Sequence, residues 1–267
     1  MKKHWNMETD IPWDRFDRSL VDDDTVKVIK AAALTEYNAP HYTVYLRNIF
    51  HADDQFQAIS YQWADEEVQH GLALGRWSEM ADPGYDFQAA FKKFTSAYVI
   101  PVDKEKSIRG TLQGELLARC LVETGTSSMY SAIADSVEEP VLKLLCRKIA
   151  ADEFRHYKLF YTYMQQVPEA EKASLLGRIR VAVGRLREVD DDELAIAFHC
   201  ANEADQPYDL ARCNKAYSSR AFSYYRRYHV ERAIGMIFKA VGLKPHSWMA
   251  KLASNYAQGV MKDRVAA

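Results

Sequence analysis

The chain of 267 residues has few of the residues that interrupt helices and no strong excess of charge of either sign. Only 11 glycines and 8 prolines are present, which disfavours an architecture of many short strands. A net charge of −2 argues against a molecule that binds polyanions over its whole surface, so we expect no nucleic-acid partner. Alanine, leucine, glutamate, lysine and arginine are abundant, and this composition favours long helices.

Cysteine and long apolar runs are also scarce. The four cysteines are Cys120, Cys146, Cys200 and Cys213. No two of them form a C-x-x-C pair, which argues against a zinc ribbon or a redox dithiol and favours buried free thiols in a reducing compartment. The N-terminal residues 1–11 lack the apolar core of a secretion signal, and no run of eighteen apolar residues occurs. We therefore expect a cytoplasmic protein without a membrane span.

A Glu-x-x-His motif occurs twice, and each copy follows an isolated glutamate at nearly the same spacing. The copies are Glu67-Val68-Gln69-His70 and Glu153-Phe154-Arg155-His156. Glu36 lies 31 residues before the first copy, and Glu123 lies 30 residues before the second. A single Glu-x-x-His motif occurs by chance in many helices, where its two side chains form a surface salt bridge. Two copies with matched upstream glutamates predict the ligand set of a carboxylate-bridged di-iron or di-manganese site in a helix bundle.

The residue types in this pattern suit that chemistry. A glutamate and a histidine three positions apart on a helix point to the same side, so one helix can offer both to one metal ion. Carboxylate and imidazole suit iron and manganese, whose preferences overlap, and the set contains no thiolate. Four buried carboxylates would be costly alone, and two divalent cations would largely neutralise them. The predicted metal ligands are Glu36, Glu67, His70, Glu123, Glu153 and His156.

Other polar residues near the motifs permit more than one interpretation. Glu66 and Asp152 precede the two motif glutamates, and either they are solvated charges or they orient the ligating histidines by hydrogen bonds. Tyr130 is expected to fill the core. Four histidines lack a partner at ligand spacing and are not expected to bind metal. They are His41, His51, His199 and His229.

The chain is predicted to be one all-α domain, residues 1–267, with a ferritin-like four-helix bundle at about 23–166 and appended helices at about 168–263. Asp22 to Asp24 offer helix caps, Asp82-Pro83-Gly84 ends a helix, and a linker surrounds Pro101. Helices are predicted over residues 24–50, 54–80, 86–98, 104–134, 140–166, 169–189, 191–204, 210–241 and 245–261.

The spacing of the ligands also predicts their level in the bundle. The midpoint between Glu36 and Glu67 falls in the predicted turn at residues 51–52, and the midpoint between Glu123 and Glu153 falls at residue 138, in another turn. In an antiparallel hairpin, residues equidistant from the turn lie at the same height. At ~1.5 Å of rise per residue, each ligand should lie roughly 20 Å from its turn, in the middle of its helix.

The motifs resemble those of the soluble acyl-acyl-carrier-protein desaturases, members of the ferritin-like di-iron superfamily. That family carries Glu-Glu-Asn-Arg-His-Gly and Asp-Glu-Lys-Arg-His segments. Here the corresponding segments are Glu66-Glu67-Val68-Gln69-His70-Gly71 and Asp152-Glu153-Phe154-Arg155-His156. Trp63, Thr35 and Thr126 also occupy family positions. The resemblance implies that the six ligands hold two iron ions, with manganese as the alternative, that Asp152 supports them, and that Thr126 assists oxygen activation.

The resemblance implies an oxygen-dependent oxidoreductase that desaturates a fatty acyl chain on acyl carrier protein. No flavin or nicotinamide fingerprint is present, so electrons would come from a separate donor such as a ferredoxin. The family's desaturases are dimers, which favours a homodimer. An acidic carrier would need a basic docking face, although an ordinary charged helix surface explains the same residues. The candidates are Arg220, Arg226, Arg227, Arg232 and Lys239.

Two other functions use the same kind of centre. A hydroxylase or N-oxygenase acting on another small-molecule substrate would keep the ligand set and change only the product. Iron storage or peroxide detoxification is less favoured, because about 100 residues follow the fourth bundle helix. The small subunit of ribonucleotide reductase belongs to the same superfamily and carries a radical tyrosine four residues after the first motif histidine. This chain has Leu74 at that position, which argues against that role.

Overall fold

The computed structural model describes residues 4–100, 102–188 and 192–266. Its helices are α1 (Asp23–Tyr37), α2 (Ala39–Ile49), α3 (Asp54–Ala81), α4 (Phe87–Ala97), α5 (Leu112–Ser136), α6 (Pro140–Met164), α7 (Leu175–Arg187), α8 (Asp192–Asn202), α9 (Leu210–Ser223), α10 (Arg227–Val241) and α11 (Trp248–Ala266). These residues contain no strand, so the predicted all-α class is confirmed. The predicted linker residue Pro101, the helix end at Val189 and the helix start at Asp191 lie outside the described residues.

Four helices form the bundle, in two pairs. α1 packs along α3, α5 packs along α6, and α3 contacts α6 to join the pairs. This arrangement fits the predicted ferritin-like bundle. Helices α7 and α10 pack on α5, and α8 packs on α1 and α4, so the appended helices cover the bundle. The extent of the single domain over residues 1–267 stays a prediction.

The predicted helix over residues 24–50 is wrong, because the chain breaks it into α1 and α2 at Asn38. Pro40 is the cause. Proline has no amide hydrogen, so it cannot donate to the carbonyl four residues earlier, which here belongs to Glu36. Glu36 is consequently the penultimate residue of α1, and the expectation that it lies in mid-helix is also wrong.

Several further predicted helices have different boundaries. The helix expected over residues 169–189 begins only at Leu175, after a separate 3-10 turn at Glu169–Glu171, because the Ser174 side chain accepts a hydrogen bond from the Gly177 amide and caps α7. The helix expected over residues 245–261 is Trp248–Ala266.

The helix expected from residue 104 begins only at Leu112, because Gly110 adopts a left-handed conformation (φ +88°) and the hydroxyl of Thr111 accepts a hydrogen bond from the Gly114 amide as the helix cap. The helix expected over residues 210–241 is two helices, α9 and α10. The Arg226 amide donates to Nδ1 of His229 at 3.0 Å, which starts a new helix there.

A close approach of two helices holds the site's first pair together. Gly71 of α3 lies against the backbone of Tyr37 at the end of α1. A Cβ atom on Gly71 would lie 2.5 Å from the Tyr37 nitrogen and 2.7 Å from its Cα atom. Only glycine permits this spacing, which brings the neighbouring Glu36 and His70 within reach of each other.

Two expectations from composition can be compared with the structure. All four cysteines are buried and free, as predicted. Among the described residues, none of the helices is sufficiently long and apolar to span a bilayer.

Candidate metal centre

The bundle brings all six predicted ligand residues together. They form two overlapping groups, in which one ligand atom of each residue lies within 4.8 Å of the others. The first group is Glu36, Glu67, His70 and Glu153, and the second is Glu67, Glu123, Glu153 and His156. Glu67 and Glu153 belong to both groups, so they are the two carboxylates that the groups share. All six residues are buried, with at most 7% of any of them exposed.

The His70 side of the centre draws on three helices. Nδ1 of His70 lies 3.3 Å from Oε2 of Glu67, 3.1 Å from Oε1 of Glu153 and 3.8 Å from Oε2 of Glu36. Because these carboxylates come from α1, α3 and α6, an ion bound there would connect both helix pairs. The Nδ1 atom faces the carboxylates, and the Nε2 atom points away from them.

The His156 side repeats the arrangement. Nδ1 of His156 lies 3.0 Å from Oε1 of Glu67, 3.6 Å from Oε2 of Glu123 and 3.9 Å from Oε1 of Glu153. The two imidazole rings are 6.0 Å apart between centroids. Each histidine therefore stands beside its own terminal glutamate and the two shared ones, which is the symmetry expected of a two-metal centre.

Unpartnered polar atoms in the centre fit the binding of cations. Both carboxylate oxygens of Glu123, Oε1 of Glu153 and Nδ1 of His156 are buried without a hydrogen-bond partner. Leaving such groups unpaired in a dry interior costs free energy, whereas coordination would satisfy them. Carboxylate oxygens and imidazole nitrogens are suitable donors for iron or manganese, so the residues present fit the implied metal pair.

The two terminal glutamates favour their protonated forms when no cation is bound. Burial raises the pKa of Glu36 well above its ordinary value, and the nearby negative charges of Glu67 and Glu153 raise it further. Burial likewise raises the pKa of Glu123, with Glu153 adding to the effect. A cation would reverse this balance, because it favours the ionised carboxylate.

The shared glutamates and the histidines favour their charged forms. Burial and the negative charge of Glu153 raise the pKa of Glu67, but its contacts with Glu36, His156 and His70 outweigh them and hold the pKa at about 2. Burial also raises the pKa of Glu153, but its contacts with His156, His70 and Glu123 outweigh burial and lower the pKa. Burial lowers the pKa of His70 and His156, yet the carboxylates close to both nitrogens of each ring favour its protonated form and raise the pKa well above the ordinary value.

The carboxylates that precede the two motifs contact the histidines crosswise. Nε2 of His70 lies 3.0 Å from Oδ2 of Asp152, and Nε2 of His156 lies 2.9 Å from Oε2 of Glu66. Each acid therefore belongs to one motif and supports the histidine of the other. Arg155 forms ion pairs with both acids. These contacts match the hydrogen-bonding interpretation of Glu66 and Asp152, in which the outer carboxylate orients the imidazole.

The N-terminal segment covers this side of the centre, a feature that the sequence did not reveal. Nε1 of Trp5 donates to Oδ2 of Asp152 at 2.7 Å, and the indole stacks on His70 with 6.1 Å between centroids. Gln69 donates to the Trp5 carbonyl at 3.0 Å and accepts from the Met7 amide at 3.3 Å. Because Trp5 and Asp152 are 147 residues apart, no local spacing could have indicated their contact.

Two hydroxyls of α5 donate to ligand carboxylates. Oγ1 of Thr126 lies 2.6 Å from Oε2 of Glu153, and the hydroxyl of Tyr130 lies 2.6 Å from Oε1 of Glu36. Tyr130 is buried in the core, as predicted, but its contact with Glu36 was not expected. The sequence did contain an indication that Tyr130 lies near the ligands, because Tyr130 follows Glu123 by two helical turns on the same face of α5.

The predicted basic docking residues are engaged largely within the molecule. Arg220 pairs with Asp24 at 2.7 Å, Arg227 pairs with Glu231 at 2.6 Å, and Arg226 donates to the Asp135 carbonyl at 2.9 Å. The other two lie over aromatic rings. These contacts are Arg232 over Phe154 and Lys239 over Tyr161.

Comparison with known proteins identifies one family. A family model described as fatty acid desaturase matches residues 6–179, which is more than half of the chain and includes all six ligand residues. No curated protein gives a significant match. The match ends within α7, so helices α8 to α11 lie outside it.

Proposed function

The chain belongs to the fatty acid desaturase family, and we propose on that premise that it is a di-iron, oxygen-dependent desaturase acting on a fatty acyl chain carried by acyl carrier protein. The observation that carries the proposal is the pair of buried carboxylate–histidine groups that share Glu67 and Glu153. Neither the family nor the ligand set alone specifies iron. Together with the unpartnered oxygens of Glu123, they support a resident pair of redox metal ions.

Each residue has a defined part in this proposal. Redox capacity toward dioxygen is the chemistry that an iron pair supplies. All six ligand residues would hold the pair, with Glu67 and Glu153 common to the two groups. Asp152 accepts the outer N–H of His70, which leaves Nδ1 free to coordinate. Thr126 holds Oε2 of Glu153 and is the hydroxyl that we assign to oxygen activation.

The overall reaction requires an external reductant. Removing two hydrogen atoms from adjacent acyl carbons supplies two electrons and two protons. Reduction of dioxygen to two water molecules takes four of each, so two electrons and two further protons must come from elsewhere. We propose a separate electron-donor protein such as a ferredoxin as their source, and a homodimer as the assembly.

Carrier docking is assigned to the basic residues of α9 and α10. Arg227 stays 57% exposed beside Glu231, so it remains accessible to an acidic partner. Substituting both Arg226 and Arg227 by glutamate should weaken binding of the carrier at low salt, because surface charges act most strongly there. Unchanged affinity in the double variant would reject this docking face.

The decisive experiment combines metal analysis with product analysis. The chain is loaded anaerobically with iron, and metal content is measured for the native protein, Glu67→Ala and Glu153→Ala. Asp65→Asn is the matched control, because Asp65 is an exposed acid of the same helix as Glu67. We expect two irons per chain in the native protein and in Asp65→Asn, and loss of iron in both ligand variants.

Product analysis by mass spectrometry then identifies the reaction. Iron-loaded protein is supplied with acyl carrier protein bearing a saturated acyl chain, a reducing system and dioxygen. Loss of two hydrogens from the acyl chain supports desaturation, whereas a gain of oxygen favours the hydroxylase alternative. A chain that holds no stoichiometric metal under these conditions would contradict the proposal as a whole.

A further inference from the structure

A second group of metal-ligating side chains lies where α8 meets α9, outside the bundle centre. It consists of His199, Glu203 and Cys213, one ligand atom of each lying within 4.8 Å of the other two. His199 is in α8, Glu203 follows the last residue of that helix, and Cys213 is in α9. Cys213 is fully buried and the other two are half-buried. The joint between two appended helices therefore presents three different donor groups at one point.

The local structure holds the three donors in place and leaves one of them unsatisfied. The Glu203 amide donates to the His199 carbonyl at 2.8 Å, which extends the helical turn and sets the two side chains on one face. Nδ1 of His199 is buried without a hydrogen-bond partner. The thiol of Cys213 has only a long contact, 3.9 Å, with Oε2 of Glu203. A bound cation would satisfy the imidazole nitrogen and shorten the distance between the other two donors.

The donor set differs from that of the bundle centre in one decisive respect. It contains a thiol, and thiolate together with imidazole and carboxylate suits zinc and related divalent ions better than the harder, oxygen-rich set of the bundle. Three protein ligands leave one coordination position open in a tetrahedral site. The second site should therefore prefer zinc over iron or manganese more strongly than the bundle centre does.

Space for a further ligand adjoins the group. A cavity of about 370 Å³ opens beside His199. Its other lining residues are Lys93, Ala97, Ile196, Cys200, Ala204 and Tyr208. Of the three donors, only His199 lines the cavity. We propose that His199, Glu203 and Cys213 form a second metal site, for one divalent ion of the zinc class. The site is independent of the proposed desaturase reaction.

The guanidinium of Arg212 competes with a metal ion for the carboxylate of Glu203. Its Nη2 atom lies 3.0 Å from Oε2 of Glu203, and its side chain is 41% exposed. In the metal-free protein this guanidinium neutralises Glu203. An ion that binds Glu203 must displace this guanidinium, which also donates to Oε1 of Gln206 at 2.9 Å and to the Pro207 carbonyl at 3.0 Å. A positive charge at this distance opposes a cation, so removing Arg212 should increase metal affinity.

The test uses cobalt(II) as the probe, because a cobalt–thiolate bond gives an intense charge-transfer absorption. The bundle centre has no thiolate and cannot produce this band, so the full native chain serves without further alteration. Because the bundle centre also takes up cobalt, we expect the band to saturate at one thiolate-bound cobalt per chain while total uptake is higher, and we expect zinc to abolish the band. Cys213→Ser and His199→Ala should lose the band or weaken cobalt binding at least tenfold. Cys146→Ser, which alters a buried cysteine of the bundle, should keep it.

Arg212→Ala provides a variant in which the signal should increase. The substitution is near the surface, so it should leave the fold intact, and it should tighten cobalt binding severalfold. Circular dichroism checks that every variant is folded. The proposal is overturned if folded native protein gives no thiolate band, or if the band persists unchanged in Cys213→Ser. Iron content of the bundle centre is measured in parallel, so failure of this site is distinguishable from failure of the desaturase centre.

Discussion

His70 and Asp152 belong to different motifs and different helices, yet Nε2 of His70 lies 3.0 Å from Oδ2 of Asp152. Burial raises the pKa of Asp152, but hydrogen bonds from His70, Arg155 and Trp5 outweigh burial and hold it at about 2. Asp152 is therefore ionised at neutral pH and favours an N–H on the outer nitrogen of His70. Once the ring has lost its second proton, that tautomer leaves Nδ1 available to a metal. Asp152, which precedes the second motif, thus orients the histidine of the first motif for metal binding.

Asp152→Asn should weaken metal binding without removing a ligand. The amide keeps the size of the side chain but loses the charge that orients His70. Loss of such an outer carboxylate typically reduces metal affinity by about 10- to 100-fold. Titration with iron(II) under anaerobic conditions would measure the change. An affinity equal to that of the native protein would show that Asp152 does not act through His70.

Glu66→Gln is the matched partner of that variant. Because the contacts are crosswise, Asp152→Asn should alter the ring-nitrogen resonances of His70, and Glu66→Gln should alter those of His156. Nitrogen-15 spectra of zinc-loaded protein, a diamagnetic form, would separate the two effects. If each substitution perturbed the histidine of its own motif instead, the crosswise arrangement would be rejected.

Gly71→Ala should disrupt the centre through packing alone. The new methyl group would lie 2.5 Å from the backbone nitrogen of Tyr37, and the backbone cannot yield as a flexible side chain would. Overpacking of this kind typically costs about 1–3 kcal/mol of stability. Because α1 must move away from α3, Glu36 should also separate from His70 and metal affinity should fall.

The control for that prediction is Gly184→Ala in α7. A Cβ atom on Gly184 has nothing within 4 Å, so alanine meets open space there. Replacing a glycine inside a helix by alanine stabilises it by roughly 0.5–1 kcal/mol. Urea denaturation of the two variants should therefore give changes of opposite sign. A Gly71→Ala protein as stable as the native one would contradict the close-approach argument.

The sequence predicted the identity of the clustered side chains better than it predicted the shape of the helices. Matched spacing placed Glu36 and Glu67 near each other, because residues equidistant from a turn meet in a hairpin. The continuous helical pattern concealed the end of α1 one residue after Glu36, although Pro40 was a local signal for it, because a proline inside a helical pattern ends or kinks the helix. Contacts such as Trp5 with Asp152 join segments far apart in the sequence and are set by tertiary packing alone.

Metal binding should strengthen as the pH rises through the neutral range. In the metal-free centre, the raised pKa values of Glu36 and Glu123 favour carboxylic acids, and those of His70 and His156 favour imidazolium ions. Coordination requires the deprotonated form of every ligand, so binding must release protons. Lower pH therefore favours the metal-free protein. Titration in weakly buffered solution with a pH indicator would count the protons, and release of none would contradict the assignment.

Thr126→Val should leave the metal pair bound and impair its use of oxygen. Valine keeps the volume of threonine but removes the hydroxyl that donates to Oε2 of Glu153 at 2.6 Å. Because Thr126 is not itself a ligand, we expect two irons per chain in the variant. The unrestrained Glu153 should lower the yield of oxidised product per dioxygen consumed. Ser127→Ala, which removes a neighbouring hydroxyl that donates to the Thr124 carbonyl of α5, is the control and should preserve that yield. If Thr126→Val gave the same yield of oxidised product per dioxygen as the native protein, Thr126 would have only a structural role.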